Sequence, residues 1–188
     1  MSVFVLFCAL ISTVQAAILS STDVRFYPPF EQKYKVATLA GTCTRHSALD
    51  NRSDAWQCRT DQRVLDPCFI KTYVKAKTAI CPISPWQNEA IQVKLISPVL
   101  MQNSNEQEEL DMSEDDPWAI NLVDGAHCLK LQQDQTFTVI GQPVKYACDN
   151  QGFLLGHIQR CDLVWKMLFL PSRNSQNLNM IEINTAWY

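Results

Sequence analysis

The stretch "DAWQCRTDQRVLDPCF", residues 54–69, concentrates side chains that could do chemistry. It holds Cys58 and Cys68, three Asp residues (Asp54, Asp61, Asp66) and the bases Arg59 and Arg63. Asp50, Arg45 and Arg52 lie just before it. Two carboxylates held in different surroundings can act as acid and base, which makes Asp54 and Asp66 the candidates for a hydrolytic site. The same residues also suit a simpler role. Asp bonds its own backbone in turns, and alternating Asp and Arg pair on a surface without catalysis. The simpler role is the expectation.

Other catalytic patterns are absent. There is no Gly-x-Ser-x-Gly elbow, no His-Glu-x-x-His and no phosphate-binding glycine loop. The chain has three His: His46, His127 and His157. Only His157 lies near a cysteine that could remain unbonded, Cys161. In an extended strand four residues separate two side chains by roughly 13 Å, too far for a nucleophile and its base. Trp56, Trp86, Trp118, Trp165 and Trp187 are expected mainly in the core. Asn51-Arg52-Ser53 is a glycosylation sequon.

The cysteines say more. The first residues, "MSVFVLFCALISTVQA", contain an apolar run from Val3 to Ile11 and small residues at Val14 and Ala16. This is the pattern of an export signal, although no base precedes the run. The run is too short to span a bilayer, which takes roughly 20 apolar residues. The expectation is a signal peptide over 1–16 and a secreted, periplasmic or envelope protein without a transmembrane anchor. Disulfides are the default in such a compartment.

Seven cysteines follow the signal: Cys43, Cys58, Cys68, Cys81, Cys128, Cys148 and Cys161. Zinc sites need ligand pairs two to four residues apart in sequence, and no such pair occurs, so no metal and no cofactor are expected. Cys43–Cys58, Cys68–Cys81 and Cys128–Cys148 each close a short loop, as bonds between successive antiparallel strands would. Each such loop contributes about 3 kcal/mol in the chain-entropy account. Six cysteines allow about 15 pairings, so this neighbour solution is one among several. It leaves Cys161 as the free thiol, packed in the interior, or else as a competitor for Cys148 or one half of an intermolecular bridge.

These residues need strands to position them. Residues 17–34 contain Pro28-Pro29 and read as an irregular arm. From 35 onward, short runs recur: Lys35 to Thr42, "AWQCRT", "RVLDPCFI", "TAICPIS" and "AIQVKLISPVL". Residues 45–54 read as a polar loop, and Asp66-Pro67 as a turn. Asp124-Gly125 marks a hairpin. Gly141 and Pro143 break the next strand, Leu163 to Leu170 reads as a helix turn or a buried strand, and "MIEINTAWY" ends the chain in a strand. No long 3.6-residue period appears. The fold class expected is therefore mainly β: a single disulfide-stabilised antiparallel domain over 35–188, barrel or sandwich-like, with few helices.

Residues 103–116 hold seven of the nineteen acids and no base, and read as a mobile acidic loop. Its acids lack the spacing of an EF-hand loop. Lys and Arg are scattered, which argues against nucleic-acid binding.

The ordered elements "GTC…DAWQC…DPCF…CPISPW…PWAINLVDGAHC…YAC…LVWKMLF…IEINTAWY" resemble a family of uncharacterised exported bacterial proteins, frequent in actinobacteria. The likeness runs from Gly41 to Tyr188 and implies export and a six-cysteine frame, but no activity. Gln57 stands where Arg is frequent in that family, and Cys161 is additional. The function expected is an exported, disulfide-stabilised, non-enzymatic binding protein with a protein or glycan partner. The alternatives are a secreted hydrolase built on Asp54 and Asp66, or an exported inhibitor acting through the acidic loop.

Overall fold

The computed structural model describes residues 21–71, 76–99, 110–175 and 177–188. The expected signal peptide, 1–16, and residues 103–109 of the acidic segment lie outside them. Among the described residues the fold is β-rich, with thirteen strands and one short 3₁₀ turn, Gln133–Gln135. The strands close into two barrels in sequence order.

The first barrel comprises β2 (Lys35–His46), β3 (Ala55–Thr60), β4 (Val64–Phe69), β5 (Thr78–Pro82) and β6 (Glu89–Leu95). Before it runs β1 (Asp23–Arg25). Each strand in the barrel pairs antiparallel with the next. A meander reverses direction at every step, so a ring of five strands must close on one like-directed pair. That pair is β2 and β6, parallel from Lys35↔Glu89 to Gly41↔Leu95. The antiparallel, barrel-like β fold expected is what forms, and odd strand number makes β2–β6 the one parallel pair within this ring.

The twelve residues of β2 serve both neighbours in turn. Its first half pairs with β6 and its second half with β3. The changeover is at Gly41, where a Cβ would lie 2.5 Å from the Arg59 carbonyl oxygen and 3.1 Å from Val93 Cγ1. A side chain at this position would force the two strands apart.

The second barrel comprises β7 (Ala119–Leu122), β8 (His127–Lys130), β10 (Gln142–Cys148), β11 (Phe153–Gln159), β12 (Lys166–Leu170) and β13 (Asn179–Trp187), with the two-residue β9 (Thr138–Val139) paired to β10. Six strands make an even ring, and its closing pair, β13 with β7, is antiparallel. The Asp124-Gly125 hairpin joins β7 to β8, with Gly125 at φ 89°, a region that glycine reaches without a Cβ penalty. Gly141, at φ 75°, turns β9 into β10. β1 adds parallel to β13, with Val24 opposite Ala186. The segment before Lys35 thus crosses to the second barrel.

Two local expectations differ from the structure. Asp66-Pro67 is no turn. It lies within β4, at a bulge where the β3–β4 register slips between Trp56↔Cys68 and Cys58↔Leu65. A bulge is where a strand tolerates a residue that cannot donate to the ladder. The segment 45–54 is a loop only from Ser47 onward: Arg45 and His46 continue β2, and within the loop Ser47, Leu49 and Asp50 are buried.

Each barrel has its own core. The first packs Trp56, Ile70, Ile91 and Val93 around Cys43, Cys58, Cys68 and Cys81. The second packs Ile120, Leu122, Tyr146, Leu154, Met167 and Ile183 with Cys128. A third cluster joins them: Tyr27, Leu49, Ala55 and Phe69 against Trp118 and Ala119. Tyr27 meets Phe69 at 5.7 Å and Trp118 edge-on at 5.4 Å between ring centroids. Such pairs add about 0.5–1.5 kcal/mol beyond their buried area. Trp56 and Trp118 are buried, while Trp86, Trp165 and Trp187 are half-buried.

Disulfides join Cys43 to Cys58, Cys68 to Cys81 and Cys128 to Cys148. The first and third link residues directly opposite each other on paired strands. Cys161 is free and exposed, in the bend between β11 and β12, rather than packed in the interior. Non-reducing peptide mapping of the oxidised chain is expected to recover these three bonds and one alkylatable thiol after residue 16. Cross-links involving Cys161 would contradict the structure.

Candidate functional site

Where the barrels meet, a cleft of about 310 Å³ opens beside the shared aromatic cluster. Its apolar wall includes Leu49, Pro82, Ile83, Trp118 and Leu129. Two charged side chains line it: Asp66 from the β4 bulge and Lys130 from the end of β8. Gln132 and Gln135, at the 3₁₀ turn, add amides. An apolar cleft with a few convergent polar groups is the usual form of a small-ligand site.

The bulge aims Asp66 at the neighbouring turn rather than along the ladder. Asp66 Oδ1 accepts from the Ser47 hydroxyl. Oδ2 accepts from the Ala48 N–H at 3.0 Å and from Gln57 Nε2 at 3.3 Å. Ser47 Oγ in turn accepts from the Leu49 and Asp50 N–H groups, each at 3.0 Å. Burial pushes the Asp66 carboxyl above the ordinary carboxylate range, against the lowering effect of Ser47, Ala48, Gln57 and Lys130.

Lys130 Nζ donates to the Leu49 carbonyl at 3.1 Å and the Asp116 carbonyl at 3.3 Å, tying a β8 side chain to both barrels' loops. Burial lowers its pKa, and the Asp116 charge opposes that. Asp116 itself holds Lys145 Nζ at 2.6 Å. A carboxyl displaced upward and an amine displaced downward in one cleft can recognise a polar ligand group or exchange a proton with it.

Asp54 takes no part in this cleft's lining. Arg52 grips both of its oxygens, Nε to Oδ1 at 2.9 Å and Nη2 to Oδ2 at 2.8 Å. Arg52 Nη1 also donates to the carbonyl oxygens of Tyr27 at 2.6 Å and Tyr188 at 3.3 Å, and the guanidinium lies 4.8 Å from the Phe69 ring centroid. The proposed acid–base pair is therefore split between a structural ion pair and a cleft-lining carboxyl.

Asp50, beside this network, is 2% exposed. Its Oδ1 accepts from the Arg52 N–H at 3.0 Å, while Oδ2 has no partner among the described residues. Burial raises its pKa to about 6. In sequence Asp50 is one of several crowded Asp residues, and Lys130 does not stand out at all. Asp50 lies in a polar run, and Lys130 falls among residues that could all face solvent.

The remaining candidates are dispersed. His157 is exposed on β11, with Nδ1 3.5 Å from Lys145 Nζ, and no contact joins it to Cys161. His127 pairs with Asp149 at 3.1 Å and stacks on Trp86 at 4.6 Å, bridging the barrels. Among the described residues the metal-ligating atoms that cluster are sulfurs, those of Cys58, Cys68 and Cys81. The described part of the acidic segment is tied down: Asp115 accepts from Asn51 Nδ2, and Arg160 Nη2 donates to the Asp115 carbonyl at 2.7 Å.

Two outcomes follow. Arg52→Ala strands the Asp54 carboxylate and two carbonyls, so unfolding by denaturant is expected to show a loss of about 2–3 kcal/mol. For Asp50, the folded pKa of about 6 exceeds the ordinary 3.8. The folded state then holds this proton more tightly than the unfolded one. Its stabilising contribution is complete below about pH 4 and is lost as pH rises through about 6. Asp50→Asn is expected to shrink the fall in stability between pH 4 and pH 7 by on the order of 2 kcal/mol. Parallel stability profiles of the parent and variant test this.

No protein-family description, no curated protein and no solved structure matches this chain.

Proposed function

We propose that this is an exported, disulfide-stabilised binding protein that works without catalysis, and that its ligand enters the cleft between the barrels. The cleft itself carries the proposal: apolar walls, a carboxyl and an amine converge at a junction whose groups come from both barrels. The ligand that suits it is a protein segment or glycan presenting an apolar face beside a hydrogen-bonding group. Three disulfides support an oxidising destination, as does the apolar N-terminal run. No helix among the described residues is long and apolar enough to cross a membrane. Kinship with the exported six-cysteine proteins of bacteria belongs to the same proposal.

The hydrolase alternative has less support, because Asp54 is engaged on both oxygens by Arg52. The inhibitor alternative needs a free acidic segment, and Asp115 and Asp116 are instead anchored to the body of the fold.

The oxidised chain, immobilised and screened against peptide and glycan libraries, is expected to yield ligands that depend on the cleft. Ile83 is half-exposed at its rim, so Ile83→Glu should fold normally and weaken binding at least tenfold. Lys130→Gln should alter selectivity for charged ligands. Ligands bound equally well by Ile83→Glu would place recognition elsewhere.

A further inference from the structure

We propose that the first barrel carries a second binding site, independent of the cleft: an exposed edge of β2 to which an extended, acidic segment of another polypeptide adds as a strand. β2 has twelve residues and β3 six. β3 pairs with β2 from Gly41 to His46 and ends at Thr60. Residues 36–40 therefore have β6 on one side and, among the described residues, no strand on the other.

The ladder fixes where the backbone groups of this stretch point. Lys35 N–H donates to the Asn88 carbonyl at 2.8 Å, and the Gly41 carbonyl accepts from Ile96 N–H at 2.9 Å. In a parallel pair, every second residue of a strand turns both of its groups to the same neighbour. Lys35, Ala37, Leu39 and Gly41 thus face β6, and the N–H and C=O groups of Val36, Thr38 and Ala40 point off the open edge. Among the described residues no main-chain or side-chain group meets them. The three residues are exposed, Val36 by 48%. Beside them opens a groove of about 450 Å³, lined by residues 38–42 of β2 and 59–62 at the end of β3, with Ile96.

Exposed edges are normally blunted by a charge, a proline or a bulge, because other chains pair with them readily. Val36-Ala37-Thr38-Leu39-Ala40 carries no charge and no Pro, and its register with β6 is unbroken. A row of alternating N–H and C=O groups is satisfied in full by one kind of ligand, an extended main chain.

The flanks select the charge of that ligand. Leu39 pairs with buried Val93, and Cys43 with buried Cys58. Alternation along the strands then puts Lys94, opposite Ala40, and Arg59, opposite Thr42, on the outer face with Val36, Thr38 and Ala40. Both cations are exposed, as is Lys35 at the far end, and none of the three forms an ion pair among the described residues. Asp61 is the one acid lining the groove. Acidic side chains on an added strand meet this cationic rim, which favours them over basic ones.

The test offers a random library of linear heptapeptides to the oxidised full chain and measures the recovered sequences as synthetic peptides. Sequences that place Asp or Glu among β-branched residues are expected. Thr38→Pro deletes an N–H that β6 does not use, so it should keep the parent's unfolding midpoint and weaken these peptides at least tenfold. Arg59→Glu/Lys94→Glu should weaken them as much, and keeps the test decisive if Thr38→Pro does not fold. Methylating alternate amide nitrogens of a bound peptide should abolish binding in one phase and spare it in the other, because a strand added at an edge pairs on one side only. Recovery of no such peptide, or methylation that does not distinguish the two phases, would overturn the proposal. So would peptides lost on Ile83→Glu but kept by Thr38→Pro, which sit in the cleft. A dimer of the parent that Thr38→Pro dissolves would overturn it too, by giving the edge to a second copy of the chain.

Discussion

One guanidinium ties three chain segments together at the junction of the two barrels. Arg52 leaves the β2–β3 connection of the first barrel and reaches the Tyr27 carbonyl of the N-terminal arm and the Tyr188 carbonyl beyond β13. Its remaining edge is locked to Asp54, and its face rests on Phe69. Arginine can do this because its donors form a fixed planar fork and its charge persists in a half-buried setting. The aromatic cluster of Tyr27, Phe69 and Trp118 supplies apolar contact at the same junction, but ring packing alone does not dictate orientation. Directional bonds from one side chain to three chain segments do. The cleft walls come from both barrels, and Arg52 shares their positioning with the Lys130 bonds and the His127–Trp86 stack.

Strand parity explains the architecture on either side of that anchor. Both halves are meanders, and both close their edges, which removes most of the unpaired rows that invite aggregation. Five strands close on a parallel seam, and six on an antiparallel one. The long β2 makes the smaller ring possible by serving β6 and β3 in succession, and Gly41 is the residue that lets both approach.

Much of this is legible in sequence where the signal is local. The absence of a long helical period, the Asp124-Gly125 hairpin and the alternation in 89–95 all report short-range geometry, and strands stand at these places. Cysteines spaced 13 to 20 residues apart suit neighbouring strands of a meander. What escapes is whatever depends on the other half of the chain. Asp66-Pro67 has the composition of a turn, yet β3 on one side draws it into a bulged strand. Asp54 and Asp66 look alike in sequence, and only Arg52 and the Tyr188 carbonyl distinguish the anchored carboxylate from the one at the cleft. Lys130 becomes noteworthy only because Leu49 and Asp116 fold over it.

The seam between β2 and β6 also implies an order of assembly. The β2–β3, β3–β4 and β5–β6 hairpins are made of near neighbours in sequence and form with little loss of chain entropy. The seam joins residues roughly fifty positions apart, so it bears the largest loop-closure cost in that barrel. The same holds for β7 and β13, whose strands bracket the whole second barrel. Each ring is thus a set of hairpins that zips first and latches last. The β13 latch pairs residues 179–187 with β7, so the second barrel closes only after the chain through these residues has been made.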